Sequence, residues 1–297
     1  MLQLKSGLPV VDPVFPSGSV NICFATDQNY LPFLAVTILS LRDHADPHCN
    51  YDICILNDGQ LDTSRFPFDK LQTDHFKIRF LTMDLKKYPY DFSTHLSGYY
   101  TIATYYRFFI GEIFRRFDKI LYLDTDMIAM SDPQELFALP LDDKIFAGGT
   151  DRCHFLPIED NWRSYVATTL GIPLAQYFCA GIMLMNIAKM RAAQLLIRSL
   201  QKLDELGTPQ LVDQDVLNSL FADKTLVLPP CWNVMWSVFL QGSKREQTLY
   251  KKQALPAKII HYDSKVKPWN TPSAYLADHW WYYARQLGLT PKKLTWD

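Results

Sequence analysis

Apolar positions along the chain fall into short runs that close in polar clusters, separated by segments of helical period. Val20-Asn21-Ile22-Cys23-Phe24-Ala25 is the first run; it closes in Thr26-Asp27-Gln28-Asn29-Tyr30, and a helix follows through about Leu41. Tyr51-Asp52-Ile53-Cys54-Ile55-Leu56, closed by Asn57-Asp58-Gly59, and Lys77-Ile78-Arg79-Phe80-Leu81 read as a second and third strand, with a helical stretch between them. Strands alternating with helices in this way predict a βαβαβ, Rossmann-like nucleotide half-domain. Residues 101–114 have helical period with Ile102, Tyr105, Tyr106 and Phe109 on one face. Lys119-Ile120-Leu121-Tyr122-Leu123 is a mostly apolar run of the kind expected for a buried strand of a parallel sheet.

Further on, Ser131-Asp132-Pro133 has the form of a helix cap with proline in the first turn. Phe146-Ala147-Gly148-Gly149-Thr150-Asp151 reads as a strand ending in a carboxylate, and residues 176–186 as a small-residue turn feeding a buried strand. Residues 188–206 predict one amphipathic helix with Met190, Leu195, Leu196 and Leu200 on one side. Asp213-Gln214-Asp215 opens another helix, where carboxylates suit the N-terminus as caps. Leu226-Val227-Leu228 and Lys258-Ile259-Ile260 are short strands, and the chain from Thr271 reads as a helix rich in Trp and Tyr. The expected division is an irregular extension over 1–19, one domain over 20–270 and a helical tail over 271–297.

Composition narrows the class. Of 297 residues, 48% are hydrophobic and 14% aromatic, which supports a large packed core and excludes a disordered chain. The formal net charge is −1, so no global basic field points to nucleic acid. Six cysteines without a Cys-x-x-Cys pair argue against a zinc framework and predict a reduced, cytoplasmic protein. The sequence shows neither an apolar run of about 18 residues nor a signal peptide, so no membrane span or export is expected.

The candidate chemistry starts at Asp124-Thr125-Asp126, directly after the apolar run at 119–123. In an open α/β sheet, ligands bind beyond the carboxyl ends of the strands. If the segment stays extended, residues i and i+2 point the same way. Two carboxylates held that close favour a hard divalent cation between them. The alternative is an Asp-rich turn or helix cap. His261, also directly after an apolar strand, can serve as a third metal ligand. The loop at 26–30 has neither a Gly-x-Gly-x-x-Gly turn nor a Walker loop. Asp27 and Asn29 there can accept and donate hydrogen bonds to a base or ribose, or can cap the following helix. Arg107 reads either as a group reaching a pyrophosphate or carboxylate, or as a solvated surface arginine.

Taken in order, Phe24-Ala25-Thr26-Asp27-Gln28-Asn29-Tyr30, Thr104-Tyr105-Tyr106-Arg107, Leu121-Tyr122-Leu123-Asp124-Thr125-Asp126, Ala180-Gly181-Ile182-Met183-Leu184-Met185-Asn186, Asp213-Gln214-Asp215-Val216-Leu217-Asn218 and His261-Tyr262 through Lys267-Pro268-Trp269 resemble glycosyltransferase family 8. This family of retaining enzymes includes bacterial lipopolysaccharide galactosyl- and glucosyltransferases and glycogenin. The resemblance implies a GT-A fold: a Rossmann-like mixed sheet flanked by helices, in a single domain with an aromatic tail. It implies a UDP-sugar donor, UDP-galactose or UDP-glucose, and Mn²⁺, with Mg²⁺ as the alternative, held by Asp124, Asp126 and His261. Asp27, Asn29, Arg107, Asp124, Thr125, Asp126 and Lys267 would hold the nucleotide-sugar, with Asp27 and Asn29 at the uracil and ribose and Lys267 at the diphosphate. Asp151 and Asp213 would join Arg107 at the donor sugar, and Gln214 would face the anomeric carbon. Asp215 and Asp151 would be the candidate nucleophiles of a double displacement, against same-face attack without one. The implied acceptor is a glycan or lipid-linked glycan at the inner face of a membrane, with peripheral contact through the aromatic tail.

Three positions depart from the family pattern. Cys179 stands where asparagine is common, which predicts one lost polar contact to substrate. Ser264 stands where some members have glycine, and Tyr99 near a histidine of a galactosyltransferase. Two other readings compete: a non-catalytic UDP-sugar-binding protein, and a haloacid-dehalogenase-type phosphatase with Asp124 as nucleophile and Asp126 as acid. The phosphatase motif usually lies near the start of a chain, which opposes that reading.

Overall fold

The computed structural model describes residues 8–98 and 100–290. Tyr99, part of the N-terminal extension and the last residues of the tail lie outside them. The chain opens with β1 (Ser19–Ala25), α1 (Leu31–His44), β2 (Asn50–Asn57), the short α2 (Phe68–Leu71) and β3 (Phe76–Thr82). It continues through a 3₁₀ segment (Ile102–Phe109), α3 (Ile110–Ile113), β4 (Lys119–Leu123), β5 (Met127–Ala129), α4 (Pro133–Phe137), β6 (Phe146–Thr150) and α5 (Asp160–Ser164). There follow β7 (Phe178–Asn186), α6 (Ile187–Ala192), α7 (Leu195–Leu206), α8 (Val212–Phe221), β8 (Thr225–Val227), β9 (Val234–Met235), α9 (Trp236–Gln241), α10 (Lys244–Ala254), β10 (Ile259–His261) and α11 (Ala277–Gln286).

Among the described residues, seven strands form one sheet in the order β3-β2-β1-β4-β7-β6-β8, and β5-β10-β9 form a second. The large sheet is mixed. β1 is parallel to both β2 and β4, while β7 runs antiparallel between β4 and β6. Successive side chains of a strand point to opposite faces. Thus Ile120 and Tyr122 of β4 join the apolar cluster under α3, α6, α7 and α8, whereas Leu121 and Leu123 join the cluster under α1. Both faces are covered, which is why these strands read as near-continuous apolar runs. A third cluster packs α9, α10 and α11 on the small sheet.

The two sheets meet at residues 124–126. β4 ends in the large sheet and β5 begins in the small one, with only a bend between them. The expectation that Asp124 and Asp126 align through extended-strand alternation is therefore corrected: they converge through this bend. Thr37 of α1 pins it, donating to the carbonyls of Thr125 (2.7 Å) and Met127 (2.8 Å).

Other local expectations change as well. The single helix over 188–206 is two, α6 and α7, separated by Gln194 in the left-handed region at φ 52°. The small residues near 180 are not a turn ahead of the strand but lie inside β7. There the register against β6 shifts between Gly148 and Gly149, with Gly148 opposite Met183 and Gly149 opposite Cys179. This bulge bends β7 and lets the Gly181 carbonyl accept the Asp124 N–H at 2.8 Å. The described part of the N-terminal extension packs on the domain, with Val11 buried and its N–H bonded to the Ile113 carbonyl at 3.0 Å. In the tail, Trp280, Trp281 and Tyr283 are buried, and the Trp281 indole donates to the Pro268 carbonyl at 2.9 Å.

Candidate active site

The carboxyl ends of β1 and β4, the bulge of β7, the start of α8 and the segment after β10 surround a cavity of about 700 Å³. Asp124 and Asp126 both line it. β10 pairs with β5 so that His261 lies opposite Met127, which carries the imidazole to the same place. His261 Nε2 is 3.4 Å from Asp126 Oδ1 and 3.8 Å from Asp124 Oδ2. One ligand atom from each of the three residues lies within 4.8 Å of the other two. Two carboxylate oxygens and an imidazole nitrogen at this spacing fit a hard or borderline divalent cation.

Two cations balance the carboxylates. Lys267, only 6% exposed, donates to Asp126 Oδ2 at 2.5 Å and to the Tyr262 carbonyl at 2.6 Å. Arg107, also 6% exposed, bridges Asp124 through Nη2 and Asp213 Oδ2 through Nη1 at 2.6 Å, and lies 4.4 Å over the Tyr122 ring. The surface-arginine reading is thus replaced by a buried bridge. Burial works against a charged Asp126, but the Lys267 ammonium and His261 outweigh it and hold the carboxyl below its usual range. Burial likewise opposes a charged His261 ring, yet the Asp126 carboxylate wins and raises its pKa well above the ordinary value.

At the start of α8 only one of the two carboxylates serves the helix N-terminus as expected: Asp215 accepts the N–H of Leu211 just before the helix. Asp213 does not cap the helix; it accepts from Thr104 Oγ1 and from Arg107. Val212 just before it sits at φ 40°, an uncommon backbone for a β-branched residue. Gln214 accepts the Ala180 N–H through Oε1 at 2.9 Å and donates through Nε2 to Tyr177 Oη (3.1 Å) and Asp151 Oδ2 (3.2 Å). Asp151 also accepts the Cys153 N–H at 2.9 Å, and burial raises its pKa. Asp215 accepts from Tyr177 (2.6 Å), Tyr165 (2.9 Å) and the Leu211 N–H (2.8 Å).

The cavity lining gathers Asp27, Arg107, Asp124, Thr125, Asp126, Asp151, Asp213, Gln214, His261 and Lys267. Asn29 is exposed and Asp215 is fully buried, and neither is among the lining residues. Asp27 accepts the N–H groups of Asn29 (2.9 Å) and Tyr30 (3.1 Å) at the entry to α1, so it organises that turn while lining the cavity. Cys179 and Ser264 both line the cavity, and the Ser264 hydroxyl donates to the Val266 carbonyl at 2.6 Å. Sequence reasoning missed Asn233, Tyr165 and Tyr177. Each contacts a predicted site residue from a distant segment, and no local spacing marks it.

The family model described as glycosyl transferase family 8 matches residues 21–272. Glycosyltransferase GlyF of Streptococcus pneumoniae serotype 4 is 28% identical over 268 residues, covering 89% of this chain and 61% of GlyF. Lipopolysaccharide 1,2-glucosyltransferase of Escherichia coli K12 is 26% identical over 265 residues, covering 87% of this chain and 75% of that protein. Among solved structures, the apo WbbM bifunctional glycosyltransferase matches with a TM-score of 0.79 at 25% identity, covering 96% of this chain and 52% of that one. The chain therefore spans less than two thirds of GlyF and about half of WbbM. Every residue lining the cavity, from Ala25 to Lys267, falls inside the span matched by the family model. On that match the chain belongs to glycosyl transferase family 8, a glycosyltransferase built on the GT-A fold.

Proposed function

We propose that the enzyme transfers galactose or glucose from a UDP-sugar, with retention of configuration, to a bacterial glycan such as lipopolysaccharide, capsule or a glycoprotein glycan. The observation that carries the reading is the convergence of Asp124, Asp126 and His261 beside two buried cations in one cavity. Asp124, Asp126 and His261 would hold Mn²⁺ or Mg²⁺. When bound, that ion supplies electrostatic stabilisation of charge on the departing diphosphate. Lys267 is within the same charge cluster and would contribute to diphosphate stabilisation, so no general acid is required for the leaving group. Asp27, with Asn29 at the rim, would meet the uridine, and Arg107, Asp151 and Asp213 would position the hexose. The family 8 domain would run over 20–270.

Retention by double displacement needs a free carboxylate facing the anomeric carbon. Asp215 has its oxygens taken by two tyrosines and a backbone N–H, and Asp151 and Asp213 each accept two hydrogen bonds. This favours same-face attack, with the leaving phosphate taking the acceptor proton. Gln214 would then act by position. A membrane-borne acceptor would bring the chain to the inner face of a membrane. Among the described residues of the tail, Tyr275 (45% exposed) and Tyr282 (58%) are available for contact there, since both tryptophans of α11 are buried.

The test measures UDP release from UDP-galactose and UDP-glucose with Mn²⁺, with and without EDTA. Metal-dependent UDP release is expected, and the faster donor identifies the sugar. Binding of UDP-sugar without turnover against a panel of glycan acceptors would instead support a non-catalytic binding protein. Phosphate release from a small phosphoester, indifferent to UDP, would overturn the reading.

A further inference from the structure

His261 serves the cavity only if Nε2, the ring nitrogen facing Asp124 and Asp126, has a lone pair to offer. That depends on which nitrogen keeps the proton, and a histidine ligand normally has this settled by a partner on its other nitrogen. Here the partner is Asn233, from the loop between β8 and β9. Its Oδ1 is 3.0 Å from His261 Nδ1.

The orientation of Asn233 is determined by its other end. Nδ2 donates to the Thr150 carbonyl at 2.9 Å, and the side chain is fully buried. Turning the amide over would set Oδ1 against a carbonyl that can only accept. Oδ1 therefore faces the ring, and Nδ1 must be the donor. The neutral ring then carries its proton on Nδ1 and leaves Nε2 bare toward the two carboxylates. Cys179 Sγ stands 4.0 Å from the same nitrogen, a far longer approach, and already takes the Gly181 N–H at 3.4 Å.

Two glycines make room for the pair. A Cβ on Gly149 would lie 2.7 Å from Asn233 Nδ2, and one on Gly181 would lie 2.5 Å from His261 Cε1. The amide thus packs directly on the β6 backbone and the ring on the β7 backbone, and neither side would tolerate a larger residue in place of glycine without displacement.

We propose that Asn233 is a positioning residue that fixes the ring orientation and proton of His261, so that Nε2 is presented to the metal. Its purpose rests on the metal reading above; its geometry does not. The experiment uses full-length, metal-free protein labelled with ¹⁵N-histidine. His261 is assigned by the ring system lost in His261→Gln, and its spectrum is read where the ring has given up one of its two protons. The remaining proton is expected on Nδ1. In Asn233→Leu the ring pattern should shift away from that form, and Mn²⁺ affinity, read by electron paramagnetic resonance, should fall about 10- to 100-fold. Asn233→Asp keeps an acceptor opposite Nδ1 but sets its second oxygen against the Thr150 carbonyl, so it should keep the Nδ1–H ring pattern at a cost in thermal stability. A wild-type ring protonated on Nε2 overturns the proposal and needs no folded variant. So does an Asn233→Leu protein with the wild-type ring pattern and affinity. A wild-type protein protonated on Nδ1 that fails to bind Mn²⁺ would sink the metal reading while sustaining this one.

Discussion

Gly181→Ala is the sharpest test of the site because a single added carbon meets two of the three proposed metal ligands. An ideal Cβ there would stand 2.5 Å from His261 Cε1 and 2.7 Å from Asp124 Oδ2. Restoring an ordinary 3.4 Å contact requires the ring to retreat by about 0.9 Å and the carboxylate by about 0.7 Å. A functional constellation must be held to about 0.5 Å, and misplacement by about 1 Å costs on the order of 10²-fold in rate. Gly181 does not lie in the left-handed region, so the effect is one of packing alone. The overpacking itself costs about 1–3 kcal/mol, and each kcal/mol lowers the melting temperature of a domain this large by about 2–4 °C. The expected result is a folded protein with a modestly lowered melting temperature, sharply weakened Mn²⁺ binding and about 10²-fold slower UDP release. Gly148→Ala is the matched control. Its Cβ would press at 2.5 Å on Phe178 Cδ2, a core contact, so it should lose similar stability and keep its Mn²⁺ affinity. Wild-type Mn²⁺ affinity and turnover in Gly181→Ala would refute the reasoning.

Three further predictions follow from the same charges and contacts. Lys267→Met removes the ammonium that competes for Asp126, so Mn²⁺ affinity without nucleotide should hold or tighten while UDP-sugar turnover falls by about 10²-fold or more; a tenfold or greater loss of that affinity would contradict this role. In the metal-free protein, the raised His261 pKa gives stability fully present below the ring's unfolded value of about 6.5 and lost as pH rises through the folded value. The depressed Asp126 pKa gives stability present above about 3.9 and lost as pH falls through the folded value, so the urea midpoint difference between wild type and His261→Gln should be greatest between about pH 4 and 6.5. Asp215→Asn sets an amide N–H₂ against hydroxyl and backbone donors and should cost about 1–3 kcal/mol by thermal melting, while a slow fluorinated donor should leave no covalent label on Asp215; such a label would restore the double displacement.

The central strands β1, β2, β4 and β7 were legible because they are covered on both faces, so their apolar runs are long enough to stand out. The Asp-Thr-Asp segment and His261 were legible for the same reason, standing at the end of buried runs where an α/β sheet presents ligands, whereas Lys267 was singled out only by the family resemblance. What the local pattern could not show was long-range. Arg107 reads as a surface charge until Asp124 and Asp213, 17 and 106 residues away, are placed against it. Asp213 reads as a cap until Thr104 and Arg107 claim it. The break at Gln194 was invisible because the apolar period continues through it and only the backbone changes hand. Asn233 lies in an aromatic loop with no spacing relation to His261; only the pairing of β9 with β10 sets them together.

The cations lining the cavity also bear on how long the protein survives in a cell. Asp124, Asp126 and Asp213 are compensated by Arg107 and Lys267 before any metal arrives. Domains whose ligand side chains have no such internal counter-charges can unfold when their ion is removed. Here an ion adds only the stabilisation that mass action gives any ligand of the native state. With the proposed metal site, chelation should therefore stop UDP release without marking the protein for proteolysis. Mn²⁺ resupply should restore that release from existing molecules, and a pulse-chase in chelator-treated cells should show an unchanged half-life.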